Sequence, residues 1–270
     1  MTGRETPGDA PLAAHVWPDI PDGPLILVPA GSTEQHGPHL PLDTDSIIAT
    51  AVATAAAAAL NGDPSRDDGG AVLVAPTLNY GASGEHQGFP GTVSIGHDAL
   101  SLVLIELVRS LSTWAGRIVV VNGHGGNVPT VAATVSRMRG EGHDVAWVPC
   151  VIADGDAHAG RTETSLLLHL APTSVDLARA RPGNSEPIAG LLPRLAADGV
   201  RAVSESGVLG DPTGASAEEG AAILAAMADE VCRRIRALGD RSPNTESPDS
   251  EWTNSESPNT ESPNSEWTVG

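Results

Sequence analysis

The sequence predicts an α/β fold in which helices connect the strands of a mostly parallel sheet. Short apolar runs alternate along the chain with longer segments of helical hydrophobic pattern, an order typical of parallel sheets. The chain has 270 residues, of which 40% are hydrophobic, enough to build one core of this kind. Polar, glycine-rich segments follow several of the apolar runs, and open α/β sheets place their functional sites at such strand ends.

The predicted elements follow in order along the chain. Four short apolar runs indicate strands at residues 25–28, 71–75, 117–121 and 144–149. Helical patterns cover residues 46–60, 98–113, a segment beginning near Pro129, 162–170 and 216–238. We expect Asp43 or Asp45 to cap the first helix and Thr162 the fourth, because their side-chain oxygens can accept backbone N–H groups. Ser216-Ala-Glu-Glu219 has the pattern of a capping box at the start of the last helix.

Composition divides the chain into three segments. We predict a flexible N-terminal segment at residues 1–20, a single domain at 21–240 and a disordered tail at 241–270. The tail is an imperfect repeat rich in Pro, Ser, Asn and Glu. Such a composition buries too little apolar surface to offset the entropy lost on ordering. Trp252 and Trp267 leave open an alternative role for the tail as an anchor for a partner.

Charge and cysteine content exclude several classes of protein. The 34 acidic and 15 basic residues give a net charge of −19, which disfavours nucleic acid or an anionic membrane as the main partner. Only two cysteines occur, and the start of the chain shows no basic and apolar secretion signal. The longest apolar stretch, residues 49–60, is too short to span a bilayer. We therefore expect a cytoplasmic protein.

The first cluster of candidate site residues follows the first predicted strand. Glu34 and His36 are two positions apart, so both side chains point the same way in an extended backbone. Asp45, at the start of the next helix, can turn its carboxylate toward them. Two carboxylates and an imidazole suit Zn²⁺, Mn²⁺ or Fe²⁺. The alternative is a polar surface loop in which the aspartates act only as helix caps.

A second cluster, Asn122-Gly-His-Gly-Gly-Asn127, follows the third predicted strand. Its glycines allow the backbone to approach a ligand closely, and His124 is a candidate metal ligand. A phosphate-binding turn fits less well, because the motif lacks the lysine of a P-loop and the glycine spacing of a dinucleotide-binding fingerprint. The alternative for His124 is a histidine that only stabilises the turn.

A third cluster, residues 155–165, contains His158 and Glu163. Glu163 could complete a metal site while His158 transfers protons. It could equally be an acidic residue placed in the first turn of a helix by the helix dipole. A fourth segment, residues 84–91, contains His86 and the only Phe of the chain, and could either cover a substrate or form a structural loop.

Three motifs together resemble the creatininase (creatinine amidohydrolase) family: TEQHGPHLPLDTD, NGHGGN and HAGRTETS, at residues 33–45, 122–127 and 158–165. The resemblance implies a three-layer α/β/α fold and a hydrolase with two divalent ions, Fe²⁺ or Zn²⁺, with Mn²⁺ as a further option. It assigns Asp45 as the bridging carboxylate, Glu34 and His124 to one ion, and His36 and Glu163 to the other. His158 matches the catalytic histidine of the family.

Two further segments resemble the branch of the family that acts in mycofactocin biosynthesis: GASGEHQGFPGT at residues 81–92 and GVLGDPTGA at residues 207–215. This resemblance implies hydrolysis of the amide before an oxidatively modified C-terminal Val-Tyr pair of a precursor peptide. The peptide is then the expected substrate partner, with His86 and Asn127 as candidate substrate-binding residues. The family also implies a homo-oligomer.

The sequence departs from the creatinine-hydrolysing branch at Gly126, where that branch has a glutamate ligand. This difference disfavours creatinine as substrate and predicts that one ion is more weakly held or more open. Two alternatives are hydrolysis of a small cyclic amide or formamide at the same centre, and an inactive metal-bound subunit that presents the peptide. His158 beside five apparently intact ligand positions favours an active enzyme, since a scaffold has no chemical need for them.

Overall fold

The computed structural model describes residues 11–64, 66 and 70–239, which form a parallel sheet covered by helices on both faces. The strands are β1 (Leu25–Ala30), β2 (Val72–Val74), β3 (Arg117–Asn122) and β4 (Val145–Pro149). They lie in the order β2-β1-β3-β4, and every neighbouring pair is parallel. The predicted α/β class with a mostly parallel sheet is confirmed. The predicted tail at residues 241–270 lies outside the described residues.

The helices are α1 (Thr44–Asn61), α2 (Gly96–Leu111), α3 (Val128–Gly140), α4 (Arg161–Leu170), α5 (Ile188–Asp198), α6 (Val200–Val203) and α7 (Ala217–Gly239). Helices α1, α4 and α7 contribute to the core on one face of the sheet, and α2 and α3 to the core on the other. Alternate strand residues supply the two cores: Leu27 and Val119 face one, and Ile26 and Ile118 face the other. This is the three-layer arrangement that the family resemblance implied.

The register of the sheet brings the candidate loops after β1, β3 and β4 together. Ala30, the last residue of β1, pairs with Asn122, the last residue of β3, and Asn122 also pairs with Pro149 at the end of β4. The segments that follow these strands therefore begin at the same edge of the sheet. That edge carries the polar clusters singled out in the sequence.

The starts of α1 and α4 differ from the predictions. Asp43 occupies the N-cap of α1, but its side chain makes no capping hydrogen bond. Helix α4 begins at Arg161 after Gly160, so the prediction that Thr162 caps it is wrong; the Asp156 carboxylate accepts the backbone N–H groups of Arg161 and Thr162 instead. An acid outside the helix performs the capping because its loop folds back over the first turn.

The capping box of α7 is only half formed. Ser216 Oγ accepts the backbone N–H of Glu219 at 3.1 Å, as predicted. The Glu219 carboxylate accepts hydrogen bonds from Arg161 Nε at 2.9 Å and Ser165 Oγ at 2.8 Å rather than from Ser216. Glu219 thus ties α7 to α4, a tertiary contact that local sequence spacing does not encode.

The segment between α4 and α7 contains two helices that were not predicted. In α5, Pro193 interrupts the helical pattern and Leu191 is the one buried residue, so the periodic signal is weak. At the other end of the chain, residues 11–20 of the predicted flexible segment form two 3₁₀ turns, and Leu12 and Ile20 pack against a core. None of the helices within the described residues is both long and apolar enough to cross a membrane.

Candidate metal centre

The candidate ligands from three separate segments meet at the carboxyl edge of the sheet. Glu34 and His36 come from the loop after β1, His124 from the turn after β3, and Asp45 and Glu163 from the first turns of α1 and α4. Glu34 and His36 are fully buried, Asp45 and His124 nearly so, and the Glu163 side chain is 17% exposed. Burial of so many ionisable groups in one place is costly unless they are paired or bind a metal.

The potential ligand atoms form overlapping groups, and two of these groups contain the pairs that the resemblance assigns to separate ions. In one, Glu34, Asp45 and His124 offer atoms that all lie within 4.8 Å of one another; in the other, His36, Glu163 and His158 do the same. Asp45 lies between the two groups, with Oδ1 2.9 Å from His36 Nε2 and Oδ2 3.2 Å from His124 Nδ1. Asp45 is thus the carboxylate that faces both groups.

Glu34 gives the clearest test of whether the site fits a cation. Both carboxylate oxygens are buried and have no hydrogen-bond partner among the described residues. The nearest imidazole nitrogens are His86 Nε2 at 3.2 Å and His124 Nε2 at 3.3 Å. A buried carboxylate without hydrogen bonds is strongly destabilising, and a divalent cation would satisfy it. The set of carboxylate and imidazole donors therefore fits Zn²⁺, Fe²⁺ or Mn²⁺.

The pKa values of two histidines in the cluster also indicate a site for a cation. Burial opposes the charge on His36, but Asp45, Glu163 and Glu34 raise its pKa to about 10. Glu34 and Asp45 likewise outweigh burial and raise the pKa of His124 well above its usual value. Protons on these two imidazoles therefore offset the negative charge of the carboxylates. A divalent cation bound here would take the place of those protons.

His158 differs from the other two imidazoles in its protonation. Its Nε2–H donates to the backbone carbonyl of Gln35 at 2.8 Å, and its Nδ1 lies 3.8 Å from Glu34 Oε1. Burial, together with the positive charge of His36, holds the pKa of His158 well below its usual value. His158 is therefore a neutral imidazole whose Nδ1 lone pair faces the cluster. With His86 and Glu34 it forms a third group of potential ligands.

Gln35 is part of the site although we did not predict it. Its Oε1 accepts the backbone N–H of Gly37 at 2.8 Å, so its amide nitrogen faces the imidazoles and donates to His86 Nδ1 at 2.9 Å. The same nitrogen lies 3.1 Å from His158 Nε2. In an extended strand Gln35 would point away from Glu34 and His36. The spacing of these residues in the sequence therefore did not indicate that Gln35 contributes to the site.

The two candidate substrate-binding residues have different surroundings. His86 is buried, with Nε2 toward Glu34, and burial together with the charges of His124 and His36 lowers its pKa to about 3. The Asn127 amide bonds to two other loops: Nδ2 donates to Gly31 O at 3.0 Å, and Oδ1 accepts from Ala82 N at 2.9 Å. These bonds favour a structural role for Asn127, in which it joins the loops that carry the cluster.

The position of Gly126 is closely surrounded by other groups, and the prediction that one ion is more weakly held or more open there stays a prediction. A Cβ at this position would collide with Glu85 Oε1 and lie 2.5 Å from both Ala82 O and His124 Nε2. Glu85 comes from the 3₁₀ turn Gly84–His86, and its carboxylate lies 3.7 Å from His124 Nε2. The space above Gly126 is therefore filled by an acid from another loop, which the sequence did not single out.

Comparison with known families and proteins finds a matching family profile and several similar proteins. The family profile described as creatininase, creatinine amidohydrolase, matches residues 14–235. The "mycofactocin precursor peptide peptidase" of Mycolicibacterium smegmatis is 56% identical over 213 residues, covering 79% of this chain and 85% of that protein. The protein of the same name from Mycobacterium tuberculosis is 52% identical over 233 residues, covering 86% and 93%.

Solved structures show the same fold at lower identity. A putative creatinine amidohydrolase from Bacteroides fragilis superposes with a TM-score of 0.72 at 25% identity, covering 87% of this chain and 98% of that one. An Mn form of creatininase gives a TM-score of 0.63 at 28% identity, covering 82% and 92%. A Zn–Zn creatininase variant gives the same TM-score at 27% identity and the same coverage.

Proposed function

The chain belongs to the creatininase family, and on this premise we propose that it is a metal-dependent hydrolase that cleaves the mycofactocin precursor peptide. The relatives of that name are 52–56% identical to this chain over aligned regions that cover 85–93% of their length. The observation in the structure that carries the hydrolase proposal is the buried Glu34 carboxylate, which lacks hydrogen bonds and faces His124 and Asp45. We place the activity in a domain of residues 21–240, outside the predicted tail.

Two divalent ions would be held by the two groups of ligands. Glu34 and His124 would hold one, His36 and Glu163 the other, and Asp45 would bridge them, because its two oxygens face one histidine of each group. The Zn–Zn and Mn forms of creatininase among the structural neighbours support this choice of ions, and the donor set also suits Fe²⁺. When bound, such ions polarise an amide carbonyl and make a water molecule nucleophilic at neutral pH.

The side chains around the ions supply orientation and a proton. Ser32 Oγ donates to Asp45 Oδ2 at 2.7 Å, which holds the bridging carboxylate in one orientation. His158 would take a proton at Nδ1 and deliver it to the leaving nitrogen, since that atom faces the cluster while Nε2–H is held by the Gln35 carbonyl. Burial of these groups excludes bulk water and strengthens their electrostatic interactions.

The finer features of the reaction are also part of the proposal. The bond cleaved would be the amide before the modified C-terminal Val-Tyr pair, and the released dipeptide would be the product used in mycofactocin biosynthesis. A homo-oligomer in the cytoplasm is the proposed form of the enzyme. Free thiols at Cys150 and Cys232 are compatible with a reducing compartment.

The experiment that tests the function is mass spectrometry of the precursor peptide after incubation with the purified protein. Modified and unmodified peptides would each be incubated with chelated protein and with protein reloaded with Fe²⁺, Zn²⁺ or Mn²⁺. Metal-dependent loss of the C-terminal dipeptide from the modified peptide is expected. No cleavage with any ion, combined with turnover of a formamide or cyclic amide, would refute the proposed substrate.

Matched variants separate chemistry from folding in this assay. His158→Ala should abolish most cleavage, whereas the exposed His169→Ala on α4 should cleave as the wild type does. Both variants should bind the same amount of metal. Equal activity of the two variants would remove His158 from the mechanism.

A further inference from the structure

A cavity of about 1130 Å³ lies beside the Glu34 and His124 end of the cluster. Its wall consists of residues from the loop after β2, the start of α2, and the end of α5 with α6. Ala82, one of these wall residues, accepts a hydrogen bond at its carbonyl from His124 Nε2 at 3.2 Å. Pockets for drug-sized ligands measure roughly 300–1,000 Å³, so this cavity has room for several peptide residues.

The Glu85 carboxylate lies between this cavity and the cluster. Its side chain is 26% exposed and lines the cavity, while Oε1 lies 3.7 Å from His124 Nε2 and 3.9 Å from His86 Nε2. Both distances are too long for hydrogen bonds. Glu85 thus presents an acceptor at the end of the cavity that is next to the cluster. It directly precedes His86, whose ring adjoins Glu34.

Two glycines from distant parts of the chain leave the space that Glu85 occupies in this position. Gly126 admits its carboxylate, because a Cβ there would collide with Oε1. Gly199, at the junction of α5 and α6, leaves room for the backbone of Glu85. The φ angle of Gly199 is +75°, and a Cβ there would lie 2.8 Å from the Glu85 carbonyl oxygen. Arg201 Nη1 also donates to Gly88 O at 2.7 Å and joins the same two segments. Contacts on both sides therefore define where this carboxylate points.

We propose that Glu85 determines specificity by accepting a hydrogen bond from a backbone N–H of the peptide that lies in this cavity. This inference rests on the proposed function and adds a substrate-contacting residue to it. A peptide backbone offers N–H donors at regular intervals, and a hydrogen bond to an ionised acceptor is stronger than one between neutral groups. The Glu85 carboxylate makes this end of the cavity unfavourable for a free carboxyl terminus, so the chain N-terminal to the scissile amide would occupy it.

The test compares Glu85→Ala, Glu85→Gln and Glu205→Ala, the last an exposed acid that does not line the cavity. Steady-state cleavage of the modified precursor peptide would give kcat and KM, and calorimetry would measure binding of the same peptide to chelated protein. Loss of a hydrogen bond to a charged group costs about 1.5–3 kcal/mol, so Glu85→Ala should raise KM and Kd by about 10- to 100-fold. Glu85→Gln keeps a carbonyl acceptor and should recover part of that loss, and Glu205→Ala should match the wild type.

The outcomes separate this inference from the proposed function. Wild-type cleavage combined with an unchanged KM and Kd in Glu85→Ala would overturn the role of Glu85 alone. Loss of bound metal from Glu85→Ala, measured by metal analysis, would also overturn it, because Glu85 would then be a ligand. Absence of cleavage by the wild type with every ion would overturn the proposed function and this inference with it.

Discussion

Gly126→Ala is the substitution for which the structure makes the sharpest prediction. The added methyl group would meet Glu85 Oε1, the Ala82 carbonyl oxygen and His124 Nε2 at once. Glu85 can rotate away, but Ala82 O is backbone and His124 is held by Asp45. The loop after β2 or the turn after β3 must therefore move.

The size of the effect follows from that overlap. Contacts of 2.5 Å are far inside the 3.4–4 Å of ordinary van der Waals contact, and two of the three atoms cannot yield freely. Overpacking of this kind costs about 1–3 kcal/mol. For a domain of this size, a loss of about 2 kcal/mol corresponds to a melting temperature lower by about 4–8 °C.

Thermal unfolding of chelated protein measures this cost without a contribution from metal binding. Gly125→Ala is the matched control, because a Cβ there meets nothing within 4 Å and its φ is not positive, so it should unfold within about 0.5 kcal/mol of the wild type. Gly126→Ala should also bind metal less tightly, since His124 is displaced. Equal melting temperatures for the two variants would refute the close packing of Glu85 and His124 around Gly126.

Three further predictions concern ligands, catalysis and folding. Asp45→Asn should lose both ions on dialysis, while Glu163→Gln should lose only one, because Asp45 faces both groups of ligands; equal metal content in the two variants would argue against a bridging Asp45. His158→Ala should keep its metal and lose about 10²- to 10⁴-fold in kcat, and loss of metal would reassign it as a ligand. Ser216→Ala should lower the melting temperature by about 2–4 °C, since it removes an N-cap worth about 1 kcal/mol, and an unchanged value would contradict the capping role seen here.

The strands and their ends were predictable because the signals are local. The run of residues 118–121 in β3 is apolar on both sides, as expected for a parallel strand covered by helices, and polar residues follow directly where it ends. The structure brings Glu34, His36, Asp45, His124 and Glu163 together at those ends. Helix α5 escaped prediction because Pro193 and its exposed apolar side chains obscure the helical period.

The side-chain partners of the helix caps required the folded chain. Asp43 has the residue type and position of an N-cap, yet it makes no such bond, whereas Asp156 caps α4 from a loop that precedes it. Glu219 has the spacing of a capping box, but it bonds Arg161 on another helix. For Asp156 and Glu219, the packing of segments distant from the predicted cap decides which donors and acceptors meet.

The sequence by itself determined the fold class, the order of the strands along the chain and the set of candidate metal-binding side chains, since these depend on hydrophobic period and on residue type. The tertiary structure decided the contacts between segments far apart in the chain. Glu85 fills the space left by Gly126, and Gln35 faces His86 and His158, because loops after different strands converge at one edge of the sheet. Such convergence depends on the register of the strands and on the close contact of two backbones at a glycine. Neither feature can be predicted from a local sequence pattern.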